Sequence, residues 1–242
     1  MYKNFIKISF FFILILTITS CSGGNSKQEL IDRAGAPLLS GLGDHSHEIT
    51  SNEKGVQEYF NQGLILAFAF NHAESVRSFK AAQTLDPSCA MCYWGEALSR
   101  GPNINVTSDG KVVMSNSDRI EAFQAIKKAK ELMHLTSLKE QDYINALSSR
   151  YNGKVETGRN LLDRQYAESM EALSKKYPED MDAASLFAES LMNTMPWNYW
   201  AEDGDPKPDT VKVIDSLESV LEKNPNHPLA IHLYIHAVEA SS

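Results

Sequence analysis

The chain has 242 residues, 31 acidic against 23 basic, for a formal charge of -8. That length admits one elongated domain or two small ones with a sizeable core. The acidic balance argues against nucleic acid as a partner, because phosphate neutralisation needs a basic stripe, and the one modest basic run, Lys127, Lys128 and Lys130, fits the solvated face of a helix.

At the N-terminus, Lys3 and Lys7 precede an apolar run from Ile8 to Ile18 that ends in small residues and a cysteine. A membrane-spanning helix needs roughly 20 apolar residues. The run is shorter than that, as in a cleavable secretory signal, and an uncleaved anchor helix is the alternative. Ile18-Thr19-Ser20-Cys21 resembles the bacterial lipobox, which implies that Cys21 is acylated and becomes the first residue of the mature chain. Several acyl chains on one residue exceed the two-signal threshold for stable anchoring. Ser22 after the cysteine, where an aspartate would retain the protein, implies sorting to the outer membrane, facing the periplasm or the cell surface. Residues 1–21 are thus expected to be signal and lipobox, and 22–55 a flexible tether and irregular lead-in beginning with Ser22-Gly23-Gly24-Asn25-Ser26. Cleavage removes Lys3 and Lys7, which leaves 21 basic residues against 31 acidic ones, a formal charge of -10.

From Val56 onward apolar residues recur at helical spacing, so residues 56–242 are expected to be all-α. If Val56 is position one of a repeat, Tyr59, Gly63, Ser75, Phe79, Ala82 and Pro87 fall at positions four, eight, twenty, twenty-four, twenty-seven and thirty-two. Small residues at Gly63 and Ser75 let two helices approach, Phe79 fills the gap to the next pair, and Pro87 stops the second helix. The six positions match the 34-residue tetratricopeptide (TPR) repeat. Asp86-Pro87 returns as Tyr177-Pro178 and Asn224-Pro225, which predicts three hairpin boundaries. Further hairpins are expected from Ala90–Arg100 with Asp118–Leu132, Leu138–Tyr151 with Gly158–Lys176, and Ala183–Met192 with Thr210–Glu222. The whole is then a TPR-like α-solenoid of antiparallel helical hairpins.

Two connections, Gly101–Asn116 and Asn193–Pro208, replace tight turns with long intra-hairpin loops of the kind that decorate a binding face. The second carries Trp197, Tyr199 and Trp200. Such aromatics serve either to cap the helix stack or to contact a ligand. The chain stops inside what reads as the first helix of a further hairpin, so a truncated C-terminus is expected.

Gly41-Leu42-Gly43-Asp44-His45, Tyr59-Phe60-Asn61-Gln62-Gly63-Leu64, Phe70-Asn71-His72-Ala73-Glu74, Gly101-Pro102-Asn103, Pro196-Trp197 and Ile235-His236-Ala237-Val238-Glu239-Ala240 together resemble a group of bacterial TPR proteins, often exported. The resemblance spans most of residues 41–242. It implies the helical-repeat fold and no settled activity.

Asn226-His227-Pro228, followed by His232, Tyr234, His236 and Glu239, is the densest cluster of potential ligands, and within it His232, His236 and Glu239 align on one helical face, with spacing that suits a shared divalent transition metal. The zinc-protease signature is absent, because Leu233 stands where its glutamate belongs. His45 and His47 in an extended segment, and His72 beside Glu74, are further candidate ligands. The alternative is that these histidines hydrogen-bond neighbouring carbonyls or carboxylates. Cys89 and Cys92 have C-x-x-C spacing, read as a short-loop disulfide or inert thiols against a redox or metal role. No phosphate loop, serine elbow or paired-carboxylate catalytic motif stands out. Two functions follow. One is a membrane-tethered scaffold whose concave surface binds a protein or peptide partner in the cell envelope. The other is a metal-binding protein, or a metalloenzyme, built on the histidines.

Overall fold

The structure, a computed structural model, describes residues 23–106 and 114–241. The signal segment, Cys21 and the centre of the Gly101–Asn116 loop lie outside the described residues. Those described form ten α-helices and no strand: α1 Gly23–Ala34, α2 Val56–Phe68, α3 His72–Leu85, α4 Ala90–Arg100, α5 Asn116–Leu132, α6 Leu138–Ser148, α7 Arg159–Lys176, α8 Met181–Thr194, α9 Pro208–Lys223 and α10 Pro228–Val238. No helix among them is long and apolar enough to cross a membrane.

Local chemistry sets the helix ends. The helices α3, α7 and α9 each stop one residue before an X-Pro pair, Asp86-Pro87, Tyr177-Pro178 and Asn224-Pro225, where the proline disfavours helical geometry in the residue ahead of it. Helix α6 opens on a reciprocal cap, with Ser137 Oγ accepting from the Glu140 N–H and Glu140 accepting from the Ser137 N–H. Asp180 and His227 cap α8 and α10 by accepting from Ala183 N and Ala230 N. Gly55 has φ 90° at the start of α2, and a Cβ there would lie 2.3 Å from Leu30 Cδ1, so only glycine suits both the backbone and the packing.

Successive helices pack on one another, α2 with α3, α4 with α5, and α8 with both α7 and α9. The ring of Phe79 is buried between two notches, since a Cβ on Gly63 would stand 2.9 Å from it and one on Gly95 2.2 Å. Ser75 Oγ donates to the Gly63 carbonyl at 2.5 Å across the same crossing. The small residues therefore let α2, α3 and α4 close around a single aromatic.

Three features depart from the sequence expectation. Residues 23–34 form a helix rather than an open tether, because Leu30 and Ala34, one turn apart, bury against the core. Helix α7 packs more extensively on α8 than on its expected partner α6. The chain also curves back on itself, with α10 resting on α2.

The lead-in is fixed as well. Its backbone is held by helix side chains: Gln62 Oε1 accepts from Leu39 N at 2.7 Å, Asn61 Oδ1 from His47 N at 3.2 Å and Gln57 Oε1 from Ile49 N at 3.1 Å, while Gln57 Nε2 donates to the His47 carbonyl at 2.8 Å. On α6, Glu140 accepts from Thr50 N at 2.6 Å and from Thr50 Oγ1 at 2.5 Å. These bonds carry His45 and His47 across α2 and α6 toward the start of α8.

Candidate metal centre

Helix α8 begins Asp180-Met181-Asp182. Carboxylates in a first turn are favoured by the helix dipole, and here each has a specific task. Asp180 Oδ1 caps the helix through Ala183 N and accepts from Tyr143 Oη at 2.9 Å, while Oδ2 lies 3.0 Å from Lys139 Nζ. Asp182 points inward and gathers three imidazoles: His47 Nδ1 at 2.6 Å from Oδ2, with His45 Nε2 at 3.0 Å and His227 Nε2 at 3.1 Å from Oδ1.

The proton on each ring follows from its partners. His227 Nδ1 accepts from Ala230 N at 3.2 Å, so its proton is on Nε2 and is donated to Asp182. A metal on that Nε2 would leave Nδ1 without the proton a neutral ligand needs, so His227 orients Asp182 and is not itself a ligand. His47 donates from Nδ1 to Asp182, and its Nε2 is buried without a hydrogen-bond partner. His45 Nε2, also buried, is near Asp182 Oδ1 yet lacks hydrogen-bond alignment. Burial alone would raise the Asp182 pKa, but the three histidines hold it well below the ordinary carboxylate range. Burial pulls His47 the other way, and its bond to Asp182 prevails, so its pKa is raised.

Two sets of ligand atoms lie within 4.8 Å of one another among the described residues, His45 with Asp182 and His227, and His47 with Asp180 and Asp182. With His227 engaged in capping α10 and orienting Asp182, the set of His47, Asp180 and Asp182 is the one that could hold a metal ion. They sit in an open cleft of about 480 Å³ whose rim adds Asp44, Glu48 and Glu179 and one cation, Lys139. The surplus of acids favours a cation. His47, Asp180 and Asp182 supply one imidazole and two carboxylates, a donor set suited to Zn²⁺ or Fe²⁺. A bound ion would take the place of the proton shared between His47 and Asp182.

The other residues singled out in the sequence are placed elsewhere. Glu239 does not join His232 and His236 at a point; it accepts from His236 Nδ1 at 3.2 Å. His232 Nδ1 donates to the Phe68 carbonyl at 2.7 Å. His72 Nε2 is 3.0 Å from Asn103 Nδ2. Burial, assisted by His232, lowers the His72 pKa. Tyr199 is buried and Trp200 Nε1 donates to the Ala237 carbonyl at 2.8 Å, so both pack on the helix stack. Trp197 remains 51% exposed. Cys89 and Cys92 form a disulfide that is buried at the start of α4.

Asp180 and Asp182 were absent from the candidate ligands read from sequence, whereas His227 opened the cluster that the sequence singled out. The only local hint of Asp182 is the Asp-x-Asp at a helix start, and its partner His47 is 135 positions away. No family model, no curated protein and no solved structure matches this chain.

Proposed function

We propose that the chain is a TPR-like helical array, tethered in the cell envelope through Cys21, that binds a divalent transition metal at His47, Asp180 and Asp182. The observation that carries the metal reading is the convergence of the His47 imidazole from the lead-in with two carboxylates of the α8 start, Asp180 and Asp182, their ligand atoms all within 4.8 Å of one another. The Phe79 notch and the three proline stops support the TPR arrangement. The buried Cys89–Cys92 disulfide supports an oxidising compartment, in keeping with export. In this reading the metal clasps the lead-in onto α8, so that binding and ordering of residues 44–51 are linked.

The test is elemental analysis of the full chain purified without chelator. One equivalent of a transition metal is expected, retained on dialysis and lost from a His45→Gln/His47→Gln variant that still gives a helical spectrum. Protein that carries no metal and takes none up from added Zn²⁺ would overturn the proposal.

A second reading, peptide binding, is favoured by Gln57 and Asn61, whose amides grip the backbone of an extended segment as a peptide groove does. The segment they grip belongs to the chain itself. An envelope partner would therefore have to displace residues 44–51, and that requirement places this reading second.

A further inference from the structure

We infer that His232 and His236 of α10 form a second transition-metal site, separate from the Asp182 centre and open to solvent, which takes a copper-class dication with coordination positions left free. The ring protons carry the argument. His232 Nδ1 is 2.7 Å from the Phe68 carbonyl, and a carbonyl only accepts, so the proton is on Nδ1. Phe68 is the last residue of α2, and a final-turn carbonyl has no donor within its own helix; His232 supplies one. His236 Nδ1 likewise donates to the Glu239 carboxylate at 3.2 Å. Both Nε2 atoms therefore carry the lone pair. Anchoring of the far ring nitrogen by a carbonyl or carboxylate is the arrangement that orients metal-ligating histidines.

The two lone pairs are brought together by the helix. Spacing of four residues sets the rings on one face, with centroids 5.1 Å apart. Both side chains are partly exposed, and neither Nε2 is among the buried unpartnered atoms. The surroundings favour a cation, since the C-terminal end of α2 presents its negative dipole end and Glu239 adds a carboxylate.

His72, the nearest other imidazole, is not a ligand. Asn103 Oδ1 accepts from the Asn105 and Val106 N–H groups, which fixes Asn103 Nδ2 as a donor to His72 Nε2 and puts the His72 proton on Nδ1. The ring of Phe70 packs against both His72 and His232, at 5.4 and 4.3 Å. With two protein ligands the ion keeps positions for water or an outside ligand. Imidazole suits Zn²⁺, Ni²⁺ and Cu²⁺, and affinity rises to its maximum at Cu²⁺.

Trp197 makes the site observable. Its exposed ring stands edge-on to His236 with centroids 5.1 Å apart, close enough for bound Cu²⁺ to quench it. Titration of the full chain with Cu²⁺ at neutral pH is expected to quench indole fluorescence with saturation. Trp197→Phe should lose most of that change. His236→Gln and His232→Ala/His236→Ala should weaken the titration at least tenfold with the helical spectrum unchanged, whereas His45→Gln/His47→Gln should leave it intact. Quenching that survives His232→Ala/His236→Ala, or that disappears with His45→Gln/His47→Gln alone, would overturn the second site. Loss through α10 together with an unaltered Zn²⁺ content in His45→Gln/His47→Gln would instead uphold this site and remove the Asp182 centre.

Discussion

Histidines gather at two places in this protein, and the two differ in what accepts their protons. Around Asp182 a single buried carboxylate accepts from His47 and from His227, which also caps α10, with His45 beside it. On α10, His232 and His236 each have an acceptor of their own, the end of α2 and Glu239. A shared acceptor makes the first cluster a structural knot that a metal must enter by replacing a proton. Separate acceptors leave the second pair ready to coordinate and of little consequence to the fold. Burial follows the same division, with His47 6% exposed and the His236 side chain 24%.

The largest effect that would test this contrast is on stability. Asp182→Ala leaves His47 and His227 without their acceptor and releases the lead-in from α8, and urea unfolding should show a loss of about 3–5 kcal/mol, the range for breaking a buried charge pair. A loss under about 1 kcal/mol would mean that the knot does not organise the fold.

A smaller effect concerns pH. In metal-free protein the raised His47 pKa contributes stability that is present below the unfolded histidine value, about 6.5, and is lost as pH rises through the folded value. The lowered Asp182 pKa contributes stability present above the unfolded carboxylate value, about 3.9, and lost as pH falls through the folded value. Asp180 and Lys139, which also face His47, act in opposite directions. Maximal stability is expected between about pH 4 and 6.5, and melting temperature across pH 3–9 should show it. Saturating metal should reverse the trend on the alkaline side, because His47 must lose its proton to bind.

The smallest effect is expected on α10. His236→Ala removes a partly exposed ring and should change unfolding stability by less than about 0.5 kcal/mol, while copper binding is lost. A change near that of Asp182→Ala would erase the distinction between the two clusters.

The parts of this arrangement that were legible in the sequence are those written locally. Pro87, Pro178 and Pro225 mark helix ends because the restriction acts on the adjacent residue. Gly63, Ser75 and Phe79 announce their crossing because all three belong to one hairpin. The helix α1 escaped notice, since Leu30 and Ala34 are a short apolar period in a polar stretch. His45 and His47 attract notice in an irregular segment, but an aspartate in the first turn of a helix is commonplace, so Asp182 carries no mark of its own. The same holds for the Phe68 carbonyl, which any helix end offers and which His232 meets from 164 positions away. Glu239 was read as a ligand on spacing alone, and its orienting role emerges only with the direction of the His236 ring.

The central claim is that His47, Asp180 and Asp182 hold one metal ion, and anomalous diffraction from zinc-loaded crystals of the full chain tests it most directly. The expected result is a peak at the zinc edge, about 2.0–2.2 Å from an imidazole nitrogen of His47 and oxygens of Asp180 and Asp182. Zinc-loaded crystals with no peak there, and His47 still hydrogen-bonded to Asp182, would contradict it.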